Sequence, residues 1–247
     1  MHPAAEAFRG VAELYERARP SYPDEAVALL RERLGLGPGR TVLDIAAGTG
    51  KLTRLLVPSG ARVIAVEPLA EMRELLLATG LPIEAVDGTA ETLPLPDSSV
   101  DAVTVGQAFH WFDAEHALGE IHRVLRPGGG VALIWNVRDP CDDLQAALDE
   151  LLRPYRSKTP SHRDDRWRAA VEASPGFGDV DEWSFGWEQL YTRDELVDRI
   201  ASISFVAQLD ESRRSTLLAQ VRAAAENLPE PFAFRHRTDV FVFPRSG

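Results

Sequence analysis

Apolar residues fall into short unbroken runs separated by amphipathic stretches, and the two kinds of segment alternate from residue 41 to residue 137. The runs at 41–46, 62–67, 82–86, 100–106 and 130–136 are rich in Val, Ile and Ala, with charge kept near their ends. Strands this apolar are buried on both faces, which predicts a parallel sheet covered by helices. Between them the spacing predicts helices over 50–57, 69–78 and 113–126. Pro58-Ser59-Gly60 closes the first and Pro127-Gly128-Gly129-Gly130 the last.

The flanks follow another rhythm. Residues 1–37 read as a helical arm, with Phe8, Val11, Leu14 and Tyr15 at helical spacing up to the stop Arg19-Pro20-Ser21-Tyr22-Pro23. A second helix is expected from Asp24, which has the chemistry of a cap, with Val27, Leu30 and Leu34 on one face. Beyond residue 137 the pattern predicts a helical stretch over 142–172, in which Leu144, Leu148, Leu151 and Leu152 form an apolar face. A strand over 180–191, helices over 193–201 and 211–226, and a terminal strand over 238–243 follow. The 247 residues suit one domain: the arm, a core over 38–137, and a C-terminal half over 138–247.

Charge and cysteine content narrow the function classes. A formal charge of −11 argues against an extended nucleic-acid surface, which needs clustered Lys and Arg, so a small-molecule partner is expected. The basic stretch 153–168, interrupted by Asp164 and Asp165, suits a solvated helix face better than an anion site. Cys141 is the only cysteine, and no C-x-x-C or His/Cys cluster offers metal ligands, so neither disulfide nor metal is expected. The first 30 residues are charged and broken by Pro20 and Pro23, unlike a signal peptide or membrane anchor. A soluble cytoplasmic protein is the expectation; monomer and homodimer stay equally open.

The chemistry is concentrated in Asp44-Ile45-Ala46-Ala47-Gly48-Thr49-Gly50, with Glu67 following 23 positions after Asp44. In a parallel sheet both acids arrive at the carboxyl ends of neighbouring strands, where ligands bind. A dinucleotide fingerprint G-x-G-x-x-G fails, because its third glycine would fall on Thr53. A P-loop fails twice, with Ile45 at its first glycine and Leu52 at its Ser/Thr. What remains is acid-x-small-x-Gly-x-Gly, a loop whose glycines let a ligand approach the backbone closely.

On these residues the chain resembles the class I S-adenosylmethionine-dependent methyltransferases. The resemblance implies that the 44–50 loop cradles the methionine part of S-adenosyl-L-methionine, with S-adenosyl-L-homocysteine as product. It also implies that Glu67 accepts both ribose hydroxyls, a fitting task for a carboxylate. Ala46 stands where the commonest pattern has glycine. The stretch Gly88-Thr89-Ala90-Glu91-Thr92-Leu93-Pro94 matches the family's adenine loop, with Thr89 in place of an aspartate. Pro68 and Ala90 fall in the same two loops, and Met72 matches an apolar position against the adenine.

The run Gly106-Gln107-Ala108-Phe109-His110-Trp111-Phe112 is similar to that of the type-11 group related to trans-aconitate methyltransferases. The arm and the tail Arg237-Thr238-Asp239-Val240-Phe241-Val242-Phe243 match the same group. The implied fold is α/β: a Rossmann-like, doubly wound, seven-stranded sheet, mostly parallel, with an antiparallel C-terminal edge hairpin and helical cap insertions. The implied activity is methyl transfer to a small molecule, at oxygen and in particular at a carboxylate. A non-catalytic S-adenosylmethionine-binding or scaffold protein of the same fold is the alternative. Tyr15, Arg19 and Gln107 would then lie along the cofactor, with Arg19 toward the methionine carboxylate. His110 is the candidate base, at a position that suits a pocket-shaping histidine better. Trp111, Phe112, Trp135 and Asn136 are the candidate walls of the acceptor pocket.

Overall fold

The computed structural model describes residues 12–139, 142–156 and 166–247. Seven strands form one sheet in the order β3-β2-β1-β4-β5-β7-β6. The strands are β1 (Thr41–Ile45), β2 (Arg62–Val66), β3 (Ile83–Val86), β4 (Val100–Gly106), β5 (Leu125–Val137), β6 (Asp181–Tyr191) and β7 (Phe232–Pro244). The first five pair in parallel, and β7 then runs antiparallel to both β5 and β6. This is the mostly parallel, Rossmann-like sheet with an antiparallel edge hairpin that the resemblance implies.

Helices cover both faces, as the two-sided apolar strands require. Helices α1 (Ala12–Ala18), α2 (Asp24–Arg33) and α3 (Thr53–Leu56) precede α4 (Ala70–Ala78) and α5 (Ala114–Val124). Then come α6 (Asp143–Leu152), α7 (Arg166–Ala173), α8 (Arg193–Ala201), α9 (Ser204–Ala207) and α10 (Glu211–Ala224). Leu43, Ile45, Val103 and Val105 point to one face, where Leu118, Ile121 and Trp167 meet them. Val42, Ala102 and Ile134 point to the other, against Leu30, Leu52 and Leu56. A third core lies apart from the sheet's centre. There Leu148, Leu196, Ile200, Leu217 and Val221 pack with Tyr191, Phe232 and Phe234 from the far ends of the hairpin. These helices form a cap.

Several element boundaries differ from expectation, each for a local reason. The first predicted helix starts at Thr53, not at 50, because Gly50 at φ +87° still belongs to the turn. The helix expected to reach 126 ends at Val124, with Leu125 already extended; Pro127 disfavours helical geometry at the residue before it. The helix expected over 142–172 stops at Leu152 and tightens into a 3-10 turn around Pro154, and α7 resumes at Arg166. Asp24 is the first helical residue rather than the cap, which is Pro23; its carboxylate lies by the positive end of α2. Strand β7 begins at Phe232, six residues early, since 232–238 alternates buried Phe, Phe, His and Thr with exposed residues. Phe8, Val11, Cys141, Lys158, Asp164 and Asp165 lie outside the described residues.

Among the described residues, no helix is long and apolar enough to cross a membrane, and no three His, Cys, Asp or Glu side chains gather as metal ligands.

Candidate functional site

Asp44 lies in the central strand, beside Ala65 of β2 and Thr104 of β4. It is buried, 1% exposed, and accepts hydrogen bonds from the hydroxyls of Thr53 (2.6 Å) and Thr104 (2.9 Å). No cation pairs with it among the described residues. Burial therefore raises its pKa to about 6, with the Glu67 charge adding to the rise and the two hydroxyls opposing it. The acid thus ties the base of the loop to β4 and to α3.

Past Asp44 the backbone turns through left-handed conformations at Ala46 (φ +53°), Gly48 (φ +60°) and Gly50 (φ +87°). At Gly50 a side chain is doubly disfavoured, by the left-handed φ and because a Cβ 2.3 Å from Leu76 Cδ1 would force that leucine to shift. Around Gly48 there is open space within 4 Å of that position, so its backbone is bare toward a ligand. Ala46 adopts the glycine-like geometry despite its methyl group, which costs about 1 kcal/mol or more.

Glu67 follows β2 directly and is 5% exposed. Its Oε2 accepts from the Gly48 N–H at 2.8 Å and its Oε1 from the Leu69 N–H at 2.9 Å. One carboxylate thereby fixes the glycine loop against the β2 turn. Each oxygen retains a second lone pair, so the group can still accept two further donors side by side. Burial pushes its pKa up, and the backbone donors and Arg73 pull against that rise. Arg73 itself donates to the Glu67 carbonyl oxygen (2.6 Å) and pairs with Asp87 (3.4 Å).

The arm reaches this loop through a residue that pattern reading missed. Glu16 accepts from the Thr49 hydroxyl at 2.5 Å, pairs with Arg54 at 2.9 Å and lies 3.7 Å from Lys51. On the other side of α1, Arg17 pairs with Asp198 of α8 (2.9 Å) and Arg19 donates to the Ser202 carbonyl oxygen (2.8 Å). The arm is therefore a strap between loop and cap. Tyr15 lies under the Arg19 guanidinium, 5.2 Å from ring centroid to charge. Met72 is buried with Ala12 and Leu69, and Tyr15 packs against this group, so Met72 sits beneath the strap. Pro68 is half-buried next to Glu67. Thr89 closes a tight turn with Thr92, and Ala90 is buried in the main core.

Strand β4 ends at Gly106, where a Cβ would lie 2.7 Å from the Tyr22 hydroxyl. Gln107 follows at φ +61°, and the Tyr22 contact at Gly106 brings the arm onto the strand end. His110 lies in a single 3-10 turn, Phe109–Trp111, with Trp111 4.7 Å away between ring centroids. The Trp135 indole donates to His110 Nδ1 at 3.4 Å. Indole is a donor only, so in that bond Nδ1 is the accepting nitrogen. The ring of Trp135 is otherwise core, 1% exposed and packed on Trp167 and Phe241. Trp111 and Phe112 are half-buried against the same core. Asn136 commits both ends of its amide, donating to the Ser21 carbonyl (2.8 Å) and accepting from the Thr238 hydroxyl (2.6 Å). It ties arm to sheet.

A family model described as "Methyltransferase domain" matches residues 43–133, the stretch holding both acids and the strand-end histidine. An uncharacterized methyltransferase of Mycobacterium tuberculosis, Rv3342, is 39% identical over 216 residues, covering 87% of this chain and 84% of its own. The methyltransferase-like C25B8.10 of Schizosaccharomyces pombe is 33% identical over equal shares. A solved structure of phosphoethanolamine N-methyltransferase 2 from Haemonchus contortus, in complex with phosphomonomethylethanolamine and S-adenosylhomocysteine, superposes with a TM-score of 0.60. It is 15% identical and covers 99% of this chain and 60% of that one, a likeness of fold. The chain belongs to the class I S-adenosylmethionine-dependent methyltransferases.

Two consequences of the loop geometry are measurable. Ala46→Gly relieves the left-handed strain, offset in part by glycine's greater unfolded freedom, for a net gain of about 0.5–1 kcal/mol. Urea unfolding should show a higher midpoint at unchanged slope; a lower midpoint contradicts the strain. Asp44 has its folded pKa, about 6, above the ordinary 3.8. Its contribution is therefore fully present below pH 3.8 and lost as pH rises through 6. Relative to Asp44→Asn, the wild type should gain roughly 2–3 kcal/mol between pH 7 and pH 4. A stability difference independent of pH contradicts the burial argument.

Proposed function

We propose that this protein transfers a methyl group from S-adenosylmethionine to an oxygen of a small organic acid, leaving S-adenosylhomocysteine. The observation that carries this reading is the Glu67 carboxylate. It is buried, oriented by the Gly48 and Leu69 N–H groups, and retains one lone pair per oxygen for the two neighbouring hydroxyls of a ribose. The bare backbone at Gly48, in a loop turned through left-handed conformations, fits a ligand lying along it. Charge fits as well: Asp44 and Glu67 are two buried acids with raised pKa values, a setting that favours a cationic ligand such as a sulfonium.

The chemistry supplied by bound S-adenosylmethionine is a methyl carbon already activated by sulfur, so the protein's part is orientation. Alignment of an acceptor lone pair with the carbon–sulfur bond is worth several kcal/mol. In this reading Glu67 orients the ribose, Thr89 and Ala90 border the adenine, and Arg19 and Gln107 lie by the methionine end. A carboxylate acceptor carries no proton on the attacking oxygen and needs no base. That agrees with His110, whose Nδ1 is engaged by Trp135, so that the neutral ring carries its proton on Nε2. We assign His110 to positioning the acceptor, with Trp111 and Phe112 walling it.

Titration with S-adenosylhomocysteine should give micromolar-range binding, weakened about tenfold or more by Glu67→Ala, equivalent to about 1.4 kcal/mol. Unchanged affinity removes the ribose assignment. With an acid that supports turnover, His110→Asn should retain kcat within about tenfold and leave the pH profile parallel to wild type. A loss of ~10²–10⁴-fold, with disappearance of one limb of the pH profile, assigns His110 as the base instead.

A further inference from the structure

The most unusual group outside the loop is a pair of buried arginines with no counter-ion among the described residues. Arg19 closes the strap and Arg199 lies in α8 of the cap. Their surroundings couple them: Arg19 donates to the Ser202 carbonyl, and the Ser202 hydroxyl donates to the Arg199 carbonyl (2.7 Å). Arg19 Nε and both Nε and Nη1 of Arg199 are out of solvent with no hydrogen-bond partner. So are the Tyr191 hydroxyl and His236 Nε2, contributed by the facing strands β6 and β7. Arg199 bears electrostatically on Arg19, Tyr191 and His236 alike. Burial, and after it the like charge of Arg199, pushes Arg19 down to about 9, and neither arginine has a carboxylate partner among the described residues.

Buried polar groups are nearly always bonded, and a buried charge without a partner costs several kcal/mol. Five orphaned atoms on four residues, from the end of the strap, α8, β6 and β7, mark this cluster as the candidate for a ligand. The side chains are held for the purpose. Trp187 stacks on His236 at 4.4 Å, Phe234 meets its edge at 5.0 Å, and the Tyr191 ring packs on Phe234 at 5.1 Å. Trp187 is in turn fixed by its indole N–H on the Thr238 hydroxyl (2.8 Å). His236 is driven to the neutral form, down to about 3, by burial and by Arg199, so it adds no further positive charge.

We propose that Arg199, with Tyr191 and His236, binds a carboxylate of the acceptor under the cap, next to the Arg19 end of the cofactor site. The proposal rests on the methyl-transfer reading and names its substrate class: an acid whose anionic group is clamped while an oxygen faces the methyl donor. One guanidinium fork, a phenol and an imidazole match the several lone pairs of a carboxylate, which a neutral acceptor does not supply. The end of the strap and the Tyr191 edge of the cap core meet at this cluster, so acid binding bridges the two bodies that Arg17 and Asp198 already join.

The test uses the full chain saturated with S-adenosylhomocysteine, with succinate as probe and succinamide as its uncharged counterpart, read by thermal shift over a concentration series. Succinate should stabilise wild type with a saturating response and succinamide should not. Arg199→Met should weaken the succinate response at least tenfold, leave S-adenosylhomocysteine affinity within twofold, and raise the melting temperature of the free protein by removing an unpaired charge. Tyr191→Phe keeps the ring and the fold, and should weaken succinate at least threefold. Equal succinate responses in wild type and both variants, or none in wild type, overturn the proposal. A tenfold loss of S-adenosylhomocysteine binding in Arg199→Met, with succinate inert, assigns the pair to the cofactor's own carboxylate and also overturns it. Wild type that fails to bind S-adenosylhomocysteine at all defeats the methyl-transfer reading separately.

Discussion

The site depends on one buried carboxylate bridging two turns. Glu67 holds the Gly48 N–H on one oxygen and the Leu69 N–H on the other, so the β1 loop and the β2 turn have a single relative position. The backbone amides at such turns have no strand partner and would otherwise need water or a ligand. An acid satisfies two of them at once and still retains two lone pairs. Asp44 does the corresponding work one layer below, joining β1 to β4 and α3 through two hydroxyls. The left-handed turn at 46–50 is the outcome of these ties, and the strain at Ala46 is the cost of a tight loop with one methyl too many.

A second constraint runs outward from the first. Glu16 clamps the loop by Thr49 and Arg54, while Arg17 and Arg19 of the same arm hold the cap. Loop, arm and cap are therefore mechanically continuous, although the cap has its own apolar core. Exposed pairs of this kind are worth little singly. Their value here is geometric, because they decide which charged groups end up between the bodies. What ends up there is Arg19 beside Arg199.

The sheet was legible because its strands are short, apolar and separated by glycine and proline, which makes the period unmistakable. Register then followed from the parallel pairing, and it delivered Asp44, Glu67 and Gln107 to one edge as their spacing requires. The helix ends were less legible, since Gly50, Pro127 and Pro154 act through backbone geometry that composition alone does not locate. The strap's contacts were hidden for a different reason. Glu16, Tyr22, Arg199 and His236 are ordinary surface-type or strand residues in sequence, and only tertiary packing brings them within reach of the loop or of one another. Asn136 and Trp135 show the converse: correct strand-end placement, with side chains taken up by the arm and the core. Fold positions a strand end; the neighbouring chain decides what that end can touch.

The central claim is that Glu67 is a ribose site as well as a tie between turns. A crystal structure grown with S-adenosylhomocysteine tests it most directly. The account predicts both ribose hydroxyls within hydrogen-bonding distance of the two Glu67 oxygens, with the Gly48 and Leu69 N–H bonds intact. A nucleoside seated elsewhere, or a Glu67 carboxylate that touches only Gly48 and Leu69, contradicts it.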